Sequence, residues 1–180
     1  MIYVLLAEGF EEIEALAPVD LLRRAGAEVH TVSITENSIV TGARGIPVAA
    51  DLFLDEIELD AMEMLVLPGG YPGYQNLAES PEVVALLKQA DAAEKTIAAI
   101  CGAPSVLGGL GLLEGQKATV YPGMEDTLRC EFEDAKVVES GRFITSRGAG
   151  TAIDFALALV ARAVSAEKAA ELAKGIVYER

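Results

Sequence analysis

Thr96-Ile97-Ala98-Ala99-Ile100-Cys101-Gly102-Ala103-Pro104 decides how this chain is read. Five residues of strand type stop abruptly at a cysteine. A glycine, an alanine and a proline follow, and Ser105-Val106-Leu107 opens a helical pattern that reaches about Leu110. The stretch predicts a strand, a tight turn with a thiol at its apex, and a helix. A thiol so placed projects above the carboxyl edge of a sheet, beside the amides of a helix N-terminus. Those amides are expected to favour the thiolate over the thiol.

Outward from this turn, apolar runs alternate with helical patterns. Residues 1–7 form a continuous apolar run, the signature of a buried parallel strand. Residues 11–25 carry apolar side chains at helical spacing, with acids in the first turn, Arg23 and Arg24 in the last, and Gly26 as the stop. Pro18 predicts a kink or break inside that helix. Residues 27–34 read as a second strand, and 39–40 with 46–48 as a short hairpin around Gly42 and Gly45. The acidic stretch 51–61 reads as a short helical turn. Residues 64–67 form another buried strand, ending at Pro68-Gly69-Gly70, and 81–93 a helix capped by Ser80. A strand at 118–121, a helical turn at 124–129, a hairpin over 136–145 and helices at 151–164 and 166–174 complete the pattern. This alternation predicts an α/β fold, a doubly wound and mostly parallel sheet with helices on both faces, in one domain spanning residues 1–180.

Composition bounds the function. Of 180 residues, 28 are acidic and 14 basic, a formal charge of −14 that disfavours nucleic acid and anionic membranes as partners. No basic region precedes an apolar one, so no signal peptide is expected, and no apolar run is long enough for a membrane span. Two cysteines and one histidine supply too few soft ligands for a zinc site, and no Gly-rich phosphate motif follows the first strand. A reducing cytoplasm is the expected compartment, with no cofactor.

In doubly wound sheets, ligands gather where the strands end. Three ends carry unusual residues: Glu8-Gly9-Phe10-Glu11-Glu12-Ile13-Glu14, Pro68-Gly69-Gly70 and Cys101-Gly102. The amides of Gly70 and Gly102 are candidates to hold an oxyanion beside the thiol, although a glycine pair alone marks only a tight turn. Glu11 and Glu12 read as a solvated first helical turn. Glu14, tucked beside a thiol, would have its pKa raised by desolvation and could donate a hydrogen bond to a thiolate. Cys130 reads as an ordinary thiol, and His30 as a mid-strand residue remote from any dyad.

Taken together, the segment from Glu8 to Glu14, Pro18-Val19-Asp20, Arg23-Arg24-Ala25-Gly26, Leu67-Pro68-Gly69-Gly70, Gln75-Asn76-Leu77, Ala98-Ala99-Ile100-Cys101-Gly102-Ala103-Pro104 and Thr145-Ser146-Arg147-Gly148-Ala149-Gly150-Thr151 resemble the ThiJ/PfpI superfamily, closest to its DJ-one branch. The resemblance covers nearly the whole chain. It implies a flavodoxin-like fold and a homodimer, with Arg24 and Arg44 near the dimer interface. It also implies that Cys101 is an oxidation-prone nucleophile-elbow cysteine, Glu14 its hydrogen-bonding glutamate, and Gly70 and Gly102 its amide donors. The activities implied are glutathione-independent glyoxalase, converting methylglyoxal to lactate through a Cys101 hemithioacetal, and deglycase. The alternative is an oxidative-stress sensor or chaperone-like protein without turnover. One departure stands out: the branch places a histidine near the cysteine where this chain has Tyr121, and a phenol is a poor base at neutral pH. The protease branch carries histidine directly after the cysteine, where Gly102 stands here, so proteolysis is not expected.

Overall fold

The computed structural model describes residues 1–178. Its strands are β1 (Ile2–Leu6), β2 (Val29–Ser33), β3 (Ile39–Thr41), β4 (Pro47–Ala49), β5 (Leu52–Phe53), β6 (Met64–Leu67), β7 (Thr96–Ile100), β8 (Lys117–Ala118), β9 (Glu131–Phe132), β10 (Val137–Ser140) and β11 (Phe143–Ser146). Its helices are α1 (Glu12–Arg24), α2 (Gly73–Glu79), α3 (Pro81–Ala92), α4 (Pro104–Gly109), α5 (Ala152–Ala163) and α6 (Ala166–Gly175). Seven strands make the central sheet in the order β10-β11-β7-β6-β1-β2-β5, parallel throughout except for β10 on β11. The fold is the mostly parallel, two-faced α/β arrangement that the alternating pattern predicts.

Strand periodicity divides the core into two layers, because successive side chains point to opposite faces. Tyr3, Leu5, Leu65, Leu67, Ile97 and Ala99 face one way and pack with Val83, Leu87 and Leu107 of α3 and α4. Ile2, Val4, Met64, Val66, Ala98 and Ile100 face the other way and pack with Leu22, Phe155 and Leu159 of α1 and α5. The chain leaves β1 for β2 on one side and enters β6 on the other. The topological switch therefore lies between β1 and β6, where a crevice opens at the carboxyl ends of the strands.

Several local expectations change. Helix α1 runs unbroken through Pro18, which is buried. The missing N–H frees only the Glu14 carbonyl of its usual partner four residues on. The 51–61 stretch contributes an edge strand, β5, paired in parallel with Val32 and Ser33, before its helical turn. Two residues of pairing are too few to show as a sequence pattern. Helix α2 rises from Gly73-Tyr74-Gln75-Asn76, of which Gly73, Tyr74 and Asn76 are weak helix formers. The strand expected at 118–121 is only Lys117–Ala118, paired with β9 in a separate small sheet. Beyond it the backbone turns to other partners: Thr119 N donates to Thr145 Oγ1 and Tyr121 N to the Cys101 carbonyl.

Candidate active site

Cys101 is the first residue past β7, and its backbone has φ of +64°. For a non-glycine residue this left-handed conformation costs about 1–3 kcal/mol and persists only where the surroundings enforce it. Here the Cys101 N–H donates to the Ser146 carbonyl at 3.0 Å, its own carbonyl accepts from Tyr121 N at 2.9 Å, and α4 begins three residues later. The turn thus holds the thiol, half-buried, over the sheet edge.

Glu14 reaches the same point from the first turn of α1. Its carboxyl is buried, accepts from the Gly69 N–H at 3.0 Å, and is the side-chain hydrogen-bond partner of the Cys101 thiol. The Ala149 amide also faces it. Glu11 is the N-cap of α1, with Oε2 accepting from Glu14 N at 2.8 Å, and its own N–H donates to the Gly69 carbonyl at 2.9 Å. The amides of Gly70 and Gly102 face the sulfur.

Close backbone approach explains the glycines. Gly70 has φ of +93°, and a β-carbon there would lie 2.6 Å from the Gly9 carbonyl oxygen, inside the loop between β1 and α1. A β-carbon on Gly102 would press 2.7 Å from the Tyr74 ring. One on Gly69 would lie 2.6 Å from both Cys101 Cβ and Glu14 Oε2. Gly70 meets the backbone of the β1–α1 loop, while Gly69 and Gly102 leave room for the Cys101, Glu14 and Tyr74 side chains.

The electrostatics correct one expectation. Burial, then the neighbouring Glu14 charge, push the Cys101 thiol up to about 12, overriding the Gly70 and Gly102 amides that pull it down. Helix α4 has only six residues, and its start does not offset the loss of water. Glu14 moves the same way: burial raises it to about 7, against the thiol hydrogen bond and the Gly69 and Ala149 amides. Two acids this close titrate as a unit. The pair gives up one proton near neutrality and holds the second far into alkali. A thiolate arises at neutral pH when the retained proton sits on Glu14.

Of the other candidates, only Tyr121 borders the site. Tyr121 is 51% exposed, with its ring against Gly148, whose β-position is 4.0 Å from Glu14 Oε1. Arg24 pairs with Asp20 at 2.8 Å on the outer face of α1. Arg44 donates its backbone N–H to Glu12 Oε1 at 2.7 Å, and its guanidinium turns back to the Ala43 carbonyl. Glu12 is not the solvated residue expected: it is 6% exposed, and its Oε2 has no partner. Strand register puts His30 beside Tyr3, three strands across and four residues short of Cys101, roughly 20 Å away. Among the described residues no group of three His, Cys, Asp or Glu side chains is placed to hold a metal ion, and no helix is long and apolar enough to cross a membrane.

Sequence reasoning did not find the Gly69 and Ala149 amides on Glu14, nor Arg147, which lines a groove behind Tyr121 and Gly148. The available signal was Arg147-Gly148-Ala149-Gly150, which the sequence offers within the family resemblance but to which no site role was given.

An α/β sheet whose switch-point crevice carries a cysteine on a left-handed elbow, a buried glutamate against it and two glycine amides defines a nucleophile-elbow protein. The model of the DJ-1/PfpI family matches residues 1–162, and the chain belongs to that family. It is 38% identical to protein dj-1beta of Drosophila melanogaster, over 97% of this chain and 95% of that protein. DJ-1 homolog B of Arabidopsis thaliana is 39% identical over 96% of this chain, which spans only 40% of that relative's length. A Pyrococcus horikoshii protein named as a deglycase is 34% identical, over 79% of this chain and 87% of that protein. Among solved structures, oxidized DJ-1 of Toxoplasma gondii superposes with a TM-score of 0.94 at 37% identity, covering 99% of this chain and 98% of that one.

Proposed function

We propose that the protein is a cysteine-dependent enzyme of small 2-oxoaldehydes, converting methylglyoxal to lactate or releasing such adducts from amines. The observation that carries this reading is the Cys101–Glu14 pair, a strained thiol and a carboxyl with a pKa of about 7, flanked by amides. The thiolate adds to the aldehyde carbon and forms a hemithioacetal, with the Gly70 and Gly102 amides holding the oxyanion. Glu14 gives its proton to that oxyanion and, now a carboxylate, takes the proton from the same carbon and delivers it to the neighbouring one; the hydroxyl proton passes to the ketone oxygen, so the ketone becomes an alcohol and the first carbon a thioester. Water then cleaves the thioester, and the 2-hydroxy acid leaves with the thiol restored. A base with a pKa near the working pH suits this shuttle, which needs no histidine at Tyr121. The relative named as a deglycase supports the adduct-releasing side of this reading. The test is lactate formation from methylglyoxal by the wild type and by Cys101→Ser. Conversion by the wild type alone supports the reading; equal rates, or none in either, end it.

The second reading is an oxidative-stress sensor or chaperone-like protein. It is favoured by the amides around the sulfur, which would hold sulfinate oxygens, and by the absence of a histidine at position 121. Mild peroxide should then add two oxygens to Cys101 and few to Cys130, as read by mass spectrometry. Equal modification of both thiols would count against a tuned site.

We further propose a homodimer through α1 and the β3–β4 hairpin. Ile13, Ile39 and Ile46 are exposed there, and the unpartnered Glu12 Oε2 lies beneath the Gly42–Arg44 turn. Sedimentation of the wild type and of Ile46→Asp checks this, with a shift to monomer expected in the variant.

A further inference from the structure

Behind Gly148 a groove of about 600 Å³ runs between the Tyr121 ring, Lys136 and the start of α5. Its wall is one residue thick on the side of the reacting pair, since the Gly148 β-position lies 3.6 Å from the Tyr121 ring and 4.0 Å from Glu14 Oε1. Gly150 on the same wall faces open space. Two cations line this groove in a chain of net charge −14.

Arg147 is the unusual one. Its Nη1 pairs with Asp134, whose side chain is 71% exposed, and its Nε is buried with no acceptor. An ion pair so open to water contributes little to stability, whereas a buried donor left unpaired is costly. The arrangement is therefore poorly explained as a structural bridge. A guanidinium released from Asp134 would offer its Nη donors to an oxyanion in the two-pronged geometry that suits carboxylate and phosphate. Lys136, paired with Asp154 at 3.4 Å and itself mostly exposed, adds a second positive charge to the groove.

We propose that this groove is a subsite for a compact oxyanion, a carboxylate or phosphate carried by the substrate, with Arg147 as the anchor and Asp134 as the residue it displaces. Above neutral pH the Cys101–Glu14 pair is itself negative, so an anionic substrate needs such a cation to approach it. As a substrate subsite the proposal rests on the reading of Cys101 as the reacting thiol. Anion binding does not, so the two can fail separately.

The experiment is a titration of wild type, Arg147→Gln, Arg147→Lys, Asp134→Asn and Cys101→Ser with inorganic phosphate and, separately, acetate, followed by calorimetry and by the amide resonances of Gly148 and Gly150. Thermal melts establish that each variant is folded. Saturable binding of at least one anion is expected in the wild type, about tenfold weaker in Arg147→Gln and only partly restored in Arg147→Lys. Asp134→Asn should bind about threefold more tightly, because the competing carboxylate is gone. The anion that binds identifies the charged group. Absence of saturable binding by either, equal binding in Arg147→Gln, or no tightening in Asp134→Asn would overturn the proposal. Loss of binding in Cys101→Ser would place the anion on the thiol's own amides and overturn it too.

Discussion

Cys101 and Cys130 are the same side chain in two surroundings. Both are half-buried, and burial raises the thiol pKa of both. Cys130 sits in a loop just before β9, its Sγ 3.8 Å from the Glu131 carbonyl, and burial with the nearby Glu131 charge is all that acts on it. Cys101 has a backbone forced to positive φ, two amides aimed at its sulfur and a carboxyl that shares its proton. A raised pKa is therefore common to both thiols and does not tell them apart. What differs is that only Cys101 has a carboxyl able to take its proton and amide donors beside its sulfur.

The contrast can be broken in graded steps. The largest effect is expected at the thiols themselves: Cys101→Ser should lower methylglyoxal conversion at least about a thousandfold, while Cys130→Ser stays within about twofold. Matching losses in both variants would erase the distinction. Next is Glu14→Gln, with a loss of about a hundredfold, as for removal of a general base. Wild-type alkylation of Cys101 should rise through an inflection near pH 7, where the pair loses its first proton. In Glu14→Gln that inflection should vanish, leaving only the thiol's own ionisation at higher pH. An unchanged profile would remove the glutamate from the pair.

The same substitution should act on stability with the opposite sign. Glu14 has its pKa raised from 4.5 to about 7 in the folded protein, so the fold holds this proton more tightly than the unfolded chain does. Its stabilising contribution is complete below pH 4.5 and is lost as pH rises to about 7. Across that window the loss is on the order of 3 kcal/mol. Glu14→Gln should therefore melt higher than the wild type at pH 8 and about level with it at pH 4. The smallest effect is expected from Tyr121→Phe, within about threefold in activity, because an exposed phenol contributes no base. A hundredfold loss there would give Tyr121 the role withheld from it here.

The sheet was legible in the sequence because buried strands announce themselves by composition: 1–7, 64–67 and 97–100 are apolar without interruption. The elbow was legible for a related reason, since a strand cannot pass through Cys-Gly-Ala-Pro without turning. Glu14 was one acid among three, and only the path of α1 against Gly69 separates it from Glu11, a cap, and Glu12, a buried group under a neighbouring turn. Strand β5 and helix α2 were missed because pairing and packing define them, not local preference. The sign of the thiol's shift was missed because the amides at a helix start can be read from order along the chain, whereas burial and a facing carboxylate belong to the assembled site.

Gly69 gives this site a dimension measured in single atoms. The position its side chain would occupy is already shared by the β-carbon of Cys101 and an oxygen of Glu14. Alanine there would part the thiol from the carboxyl, turning one two-proton acid into two separate ones. The contact between thiol and carboxyl thus depends on the volume of a methyl group that is not there.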